Sequence, residues 1–195
     1  MRHVWLNRTM LALAILVAVA VHGAAALSEG SDAGTPTYSA GRSAYASGSE
    51  LSAGRWVGGG GAGVLGSTPD GAAFAMNGSA EYFVSDNVSI GPLVQVGFTG
   101  DQTLLGVSGQ GKYWIDLPGT SGRGKLALQG GLGFAHADFR AGDTSWLVPI
   151  GVSYDYSLPS GMSLTATTLV NFTNLRTGAG SGADVMPGLT FGVRF

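Results

Sequence analysis

The sequence predicts an all-β protein, an eight-stranded antiparallel up-and-down transmembrane β-barrel, and three observations predict it. Apolar residues fall on every second position through eight successive segments, the period of a strand with one apolar face. Clusters of Gly, Pro, Asp, Asn and Ser separate those segments, as turn chemistry requires. The chain also opens with an export-type segment, and beyond it no uninterrupted apolar run is long enough for a spanning helix. Any membrane residence downstream must therefore come from strands.

Residues 1–26 read as a signal peptide: Arg2 and Arg8 give a positive start, Met10 to Val21 is an apolar run of 12, and Ala24-Ala25-Ala26 fits a small-x-small cleavage site. Twelve residues fall short of the roughly 20 that cross a bilayer as a helix. Residues 27–54 are rich in Ser, Gly and Ala without a sustained period and read as a flexible leader. The barrel is expected over 55–195.

Its strands are expected at Arg55 to Gly66, Ala72 to Val84, Val88 to Thr99 and Thr103 to Leu117, then Lys125 to Phe139, Ser145 to Leu158, Met162 to Thr173 and Ala183 to Phe195. Between them lie STPDG, SDN, GD, PGTSGRG, AGD, PSG and NLRTGAGSGAD, the last (174–184) being the longest connection on the outer side. Pro92, Pro149 and Pro187 lie inside these segments, where each removes a ladder donor. Pro149 and Pro187 fall near strand starts; Pro92 predicts a bulge or a misplaced boundary.

Phase decides which face meets what. Phe74, Met76, Tyr82 and Val84, Ile90, Val94 and Phe98, Leu128, Leu132 and Phe134, and Val148, Ile150 and Val152 share one face. Asn77, Ser79, Gln95, Ser108, Gln110, Gln129, Ser153, Thr165, Thr167 and Asn171 share the other. A secreted ligand-binding barrel turns its apolar set inward and its charge outward, but charged residues are only 11% of this chain. Polar-in and apolar-out is the assignment that suits a membrane.

The export-type start, the eight alternating segments, aromatic residues near strand ends (Tyr82, Tyr113, Trp114, Tyr154, Tyr156) and the final strand with Leu189, Phe191, Val193 and Phe195 together resemble the small outer-membrane barrels of the OmpA and OmpX type. The resemblance covers 55–195. It implies residence in the cell outer membrane among its lipid and lipopolysaccharide, as a monomer. It also implies that Leu189, Phe191, Val193 and Phe195 are the signal read by the barrel-assembly machinery. Nothing follows Phe195, so the peptidoglycan-binding domain that OmpA carries is not expected.

Four charges fall on the polar face near the end assigned to the periplasm: Glu81, Lys112, Asp155 and Arg194, on the second, fourth, sixth and eighth strands. An eight-stranded bore is just wide enough to be filled by side chains, so these four are expected either to interlock as a plug or to meet lumenal water near the rim. Pairing is what normally lets charge persist in a confined site.

Other chemistries find little support. The chain has no cysteine, hence no disulfide framework, thiol nucleophile or lipid-modified anchor. Without Arg2 and Arg8 it carries 8 basic residues against 12 acidic, with no basic cluster to track nucleic-acid phosphates. His136 is the one histidine after the export segment, so a His-rich metal site is excluded. In the barrel-type lipid A deacylases a Ser stands two residues from the His, where this chain has Asp138. Gly106 to Lys112 and Gly119 to Lys125 imitate a phosphate loop, yet Tyr113 and Leu126 replace its Ser or Thr. The expected role is structural or surface-interacting and not enzymatic, with no cofactor. A narrow gated channel is the alternative, and a lipid A-modifying enzyme around His136 a lesser one.

Overall fold

The computed structural model describes residues 52–138, 142–177 and 181–195; the expected signal peptide and nearly all of the expected leader lie outside them. Within them are eight strands: β1 (Trp56–Thr68), β2 (Gly71–Ser85), β3 (Val88–Phe98), β4 (Thr103–Asp116), β5 (Gly124–Asp138), β6 (Asp143–Ser157), β7 (Ser163–Thr177) and β8 (Ser181–Arg194). Each pairs antiparallel with its sequence neighbour, and β8 returns to β1, for example through Gly59↔Arg194 and Val64↔Leu189, closing the barrel. Closure leaves no unpaired edge. Phe195 extends the seam by exchanging backbone hydrogen bonds of 2.9 Å with Gly58.

Alternation along the strands sets the two surfaces. Leu132, Phe191, Val64, Phe74, Trp146 and Ile150 are among the large apolar side chains exposed on the exterior. Cross-strand pairs such as Phe74↔Phe98 and Phe134↔Trp146 stand toward one end, and the ring pair Trp56–Tyr82, 5.4 Å between centroids, toward the other. On β6 Tyr154 lies eight positions beyond Trp146, roughly 20 Å of wall at the usual rise and tilt. A belt of that height and composition is the surface of a transmembrane barrel.

Several expectations are corrected. Pro92 introduces no bulge and marks no boundary. It pairs with Gly109 of β4, and the β2–β3 ladder pauses between Ser79↔Leu93 and Tyr82↔Ile90 while keeping its register. The missing N–H is thus absorbed on one side of the strand only. The irregularities fall at Leu65/Thr68, Phe83/Ser85 and Phe172/Leu175 instead. The connection expected at 174–184 shrinks to three residues, because β7 runs to Thr177 and β8 starts at Ser181. Polar residues such as Asn174 and Arg176 extend the wall above the apolar belt, where the hydrophobic period no longer marks a strand.

Trp114, expected in the aromatic girdle, is 1% exposed and points into the bore. Successive side chains alternate, so an outward Tyr113 forces Trp114 inward. The tight bore also demands glycine where strands crowd: a Cβ on Gly133 would lie 1.9 Å from the Val107 carbonyl oxygen, and one on Gly151 2.0 Å from that of Thr168.

Candidate functional site: the lumen and the far rim

The start of β1 and the end of β8 define the terminal end of the barrel; the β1–β2, β3–β4, β5–β6 and β7–β8 connections define the far end. Near the terminal end the four predicted charges form two ion pairs. Lys112 Nζ lies 2.7 Å from Glu81 Oε1, and Arg194 Nε donates to Asp155 Oδ2 at 2.5 Å. Each pair joins strands two apart and so bridges over the strand between them on the lumenal side. Ser89 Oγ donates to Glu81 Oε2 at 3.0 Å and itself accepts from Trp114 Nε1 at 2.9 Å. The Trp114 ring sits between the pairs, its centroid 5.8 Å from Lys112 Nζ and 4.7 Å from Arg194 Cζ, so both cations also meet a π face. Sequence phase brings out the charges, and the same alternation puts Ser89 on the polar face of β3; Trp114 was missed because its neighbour Tyr113 is equally aromatic.

A cavity of about 40 Å³ lies among these groups, lined by Glu81, Lys112, Asp155 and Arg194 with Asn77 and Ser153. That is room for a few water molecules and nothing larger. Arg194 Nη1 and Nη2 and Gln110 Nε2 are buried without a protein partner.

At mid-height Gln95 and Asn171 bridge β3 and β7 through a reciprocal amide pair, Gln95 Nε2 to Asn171 Oδ1 at 3.1 Å and Asn171 Nδ2 to Gln95 Oε1 at 3.2 Å. Asn77 Nδ2 donates to Thr190 Oγ1 at 2.8 Å beside them. Toward the far end the lumen becomes apolar: Leu65, Leu104, Leu147, Leu175 and Met186 interleave with small alanines such as Ala73, Ala135 and Ala137, all buried. The sequence reading assigned the whole interior to polar residues, and this apolar layer corrects it. With both faces apolar at that height, period two cannot be seen.

His136 lies on the exterior at the far end, its Nδ1 2.7 Å from Thr144 Oγ1 across the β5–β6 pair. Among the described residues no group of His, Cys, Asp or Glu is arranged to hold a metal ion. Gly106 to Lys112 lies wholly within β4, and Gly119 to Lys125 crosses the β4–β5 turn into β5; neither opens a helix, as a phosphate loop must. Leu189, Phe191 and Phe195 are exposed on the outer wall, and Val193 is at the margin of exposure.

No protein-family model matches the chain, and no curated protein sequence does. Among solved structures the chain is similar to Neisserial surface protein A, 18% identical over 71% of this chain and 94% of that one, with a TM-score of 0.54. It is also similar to the N-terminal β-barrel domain of Pseudomonas aeruginosa OprF, 17% identical over 73% and 98% with a TM-score of 0.48. A third is Ail, the attachment invasion locus protein of Yersinia pestis, 12% identical over 72% and 96% with a TM-score of 0.41. The likeness to Neisserial surface protein A is one of fold: a small closed β-barrel.

Proposed function

We propose that the chain is an outer-membrane barrel with a structural or surface-interaction role, its lumen held shut, and not an enzyme. One observation carries the reading: the exterior is an apolar belt while the bore is blocked by ion pairs, an amide bridge and an apolar layer in succession. A solute-conducting porin needs a wide aqueous lumen. In this reading the terminal end faces the periplasm and the far end the outside. Leu189, Phe191, Val193 and Phe195 are the strand presented to the assembly machinery, and the barrel acts as a monomer. The far-end connections are only two to four residues long, so contact with other molecules falls to the rim of the wall.

The test is fractionation of expressing cells, gel migration with and without boiling, and planar-bilayer recording on the folded material. Recovery in the outer membrane, a heat-dependent shift and no steady conductance are expected. A soluble periplasmic protein without the shift overturns the membrane assignment, and a stable open level overturns the closed lumen in favour of a channel.

A further inference from the structure

We infer that the ionic half of the bore is a sealed binding site for a small cluster of water molecules, held by the Arg194 guanidinium and shut off from the terminal mouth by Phe83 and Trp114. The inference rests on the closed-lumen reading above and goes beyond it in naming what the chamber binds and what closes it. Its first ground is Arg194, which is only 5% exposed. Nε is taken by Asp155, yet Nη1 and Nη2 are buried with no protein partner, which leaves four N–H donors unused. Donors so placed are costly unless something accepts from them. The 40 Å³ cavity beside them is lined by Asp155, Gln129 and Thr165, whose oxygens are the acceptors a bridging molecule also needs. Its room comes partly from β1, where Gly59, opposite Arg194, contributes no side chain.

The second ground is the enclosure. One inward step toward the terminal end from Gly59, Glu81, Lys112 and Gln129 stand Val57, Phe83, Trp114 and Ala127. Phe83, Trp114 and Ala127 form a buried apolar cluster with Val57 packed on it, and the Phe83 and Trp114 rings lie 5.9 Å apart. Ser157 Oγ and Ser163 Oγ, 3.3 Å apart, close the β6–β7 side of the same mouth. Trp114 Nε1 is tied through Ser89 to Glu81, so this lid is fastened to the ionic layer beneath it. On the other side stand the Gln95–Asn171 bridge and the apolar layer of Leu65, Leu104 and Leu147. The polar chamber is therefore held between two apolar layers.

The charges decide the class of ligand. Glu81 accepts from Lys112, Ser79 and Ser89, and Asp155 accepts from Arg194. Two acids and two bases cancel, so the chamber has no net charge to attract an ion of either sign, and an added ion would carry its whole desolvation cost into the bore. A neutral molecule that both accepts and donates fits the lining. Each water needs roughly 10–15 Å³ of such a cavity, so the site takes about three.

The test is field-dependent oxygen-17 relaxation of solvent water around the folded, heat-shiftable protein in detergent micelles, with protein-free micelles as reference. A dispersion equivalent to about three long-lived water molecules is expected for the unaltered chain. It is expected to vanish in the double variant Asp155→Leu with Arg194→Met, which removes donor and acceptor together and leaves an apolar space that stays dry. Phe83→Ala is expected to keep the waters but shorten their residence about tenfold, as a barrier lowered by about 1.4 kcal/mol requires. Leu147→Ala, in the apolar layer, is expected to add none. No dispersion from the unaltered chain, an unchanged one in the double variant, or protein-dependent broadening of the chloride resonance overturns the water site, and an unchanged residence in Phe83→Ala overturns the lid. Steady conductance of the unaltered protein overturns the closed-lumen reading instead, so the two failures are distinguishable.

Discussion

The two halves of the bore are closed by different physics. Near the terminal end Glu81, Lys112, Asp155 and Arg194 close it with directed contacts around Trp114 and leave a small polar cavity. Toward the far end Leu65, Leu104, Leu147, Leu175 and Met186 close it by packing alone. The ionic half is specific but costly to desolvate, and it tolerates the loss of a partner badly. The apolar half is dry, loses only packing when trimmed, and sets a barrier that polar solutes cannot cross without hydration. Opening the ionic half alone therefore does not open the barrel.

The largest expected effect comes from unpairing the ionic half. Asp155→Ala leaves Arg194 buried without its acid and is expected to cost about 3–5 kcal/mol, read as a fall in the urea midpoint of the heat-shiftable band. The double variant Asp155→Leu with Arg194→Met is expected to regain most of that loss. If the double variant is as unstable as the single, burial of an unpaired charge is not the cause.

Trimming the apolar half comes next. Leu147→Ala is expected to cost about 3 kcal/mol through lost burial and the cavity left behind, measured the same way. A cost near zero would mean that the far-end layer is loosely packed. In bilayer recordings Lys112→Ala is expected to stay closed, because the apolar layer is untouched, whereas Lys112→Ala combined with Leu147→Ser is expected to show brief openings. Steady conductance in Lys112→Ala alone would make the ion pair the sole gate.

Between the halves, Gln95→Ala is expected to cost about 1–2 kcal/mol, since it strips both bonds from the buried Asn171 amide. Smallest is Asp116→Asn at the terminal rim. Its partner Lys125 is reached from a carboxylate that is 66% exposed, and such pairs contribute at most a few tenths of a kcal/mol. A loss above about 1 kcal/mol there would place the rim, and not the bore, at the centre of stability.

Legibility in the sequence followed the same division. Strand count, order and phase were readable because the exterior is apolar where the lining is polar, as at Gln95 beside Val94 and Asp155 beside Tyr154. The ionic layer was readable because charge is rare and fell on alternate strands at similar height. The apolar layer was not, because Leu147 between Trp146 and Val148 gives no alternation to read. The inward Trp114 was hidden by its outward neighbour Tyr113. The length of β7 was hidden because the residues beyond Thr173 are polar outside and held by hydrogen bonds such as Asn174 N–H to Ser145 Oγ at 3.0 Å, which no hydrophobic pattern announces. The His136–Thr144 contact depends on a cross-strand register that a single strand does not encode.

The central claim is that the apolar face meets lipid, and the absence of cysteine makes it directly testable. A nitroxide attached at Leu132→Cys, a position 73% exposed within the apolar belt, is measured in reconstituted vesicles for its accessibility to molecular oxygen and to a water-soluble nickel chelate. High oxygen accessibility with almost no access for the chelate is predicted. Ready access for the chelate, or shielding from both, would place Leu132 in water or in a packed core and contradict the account.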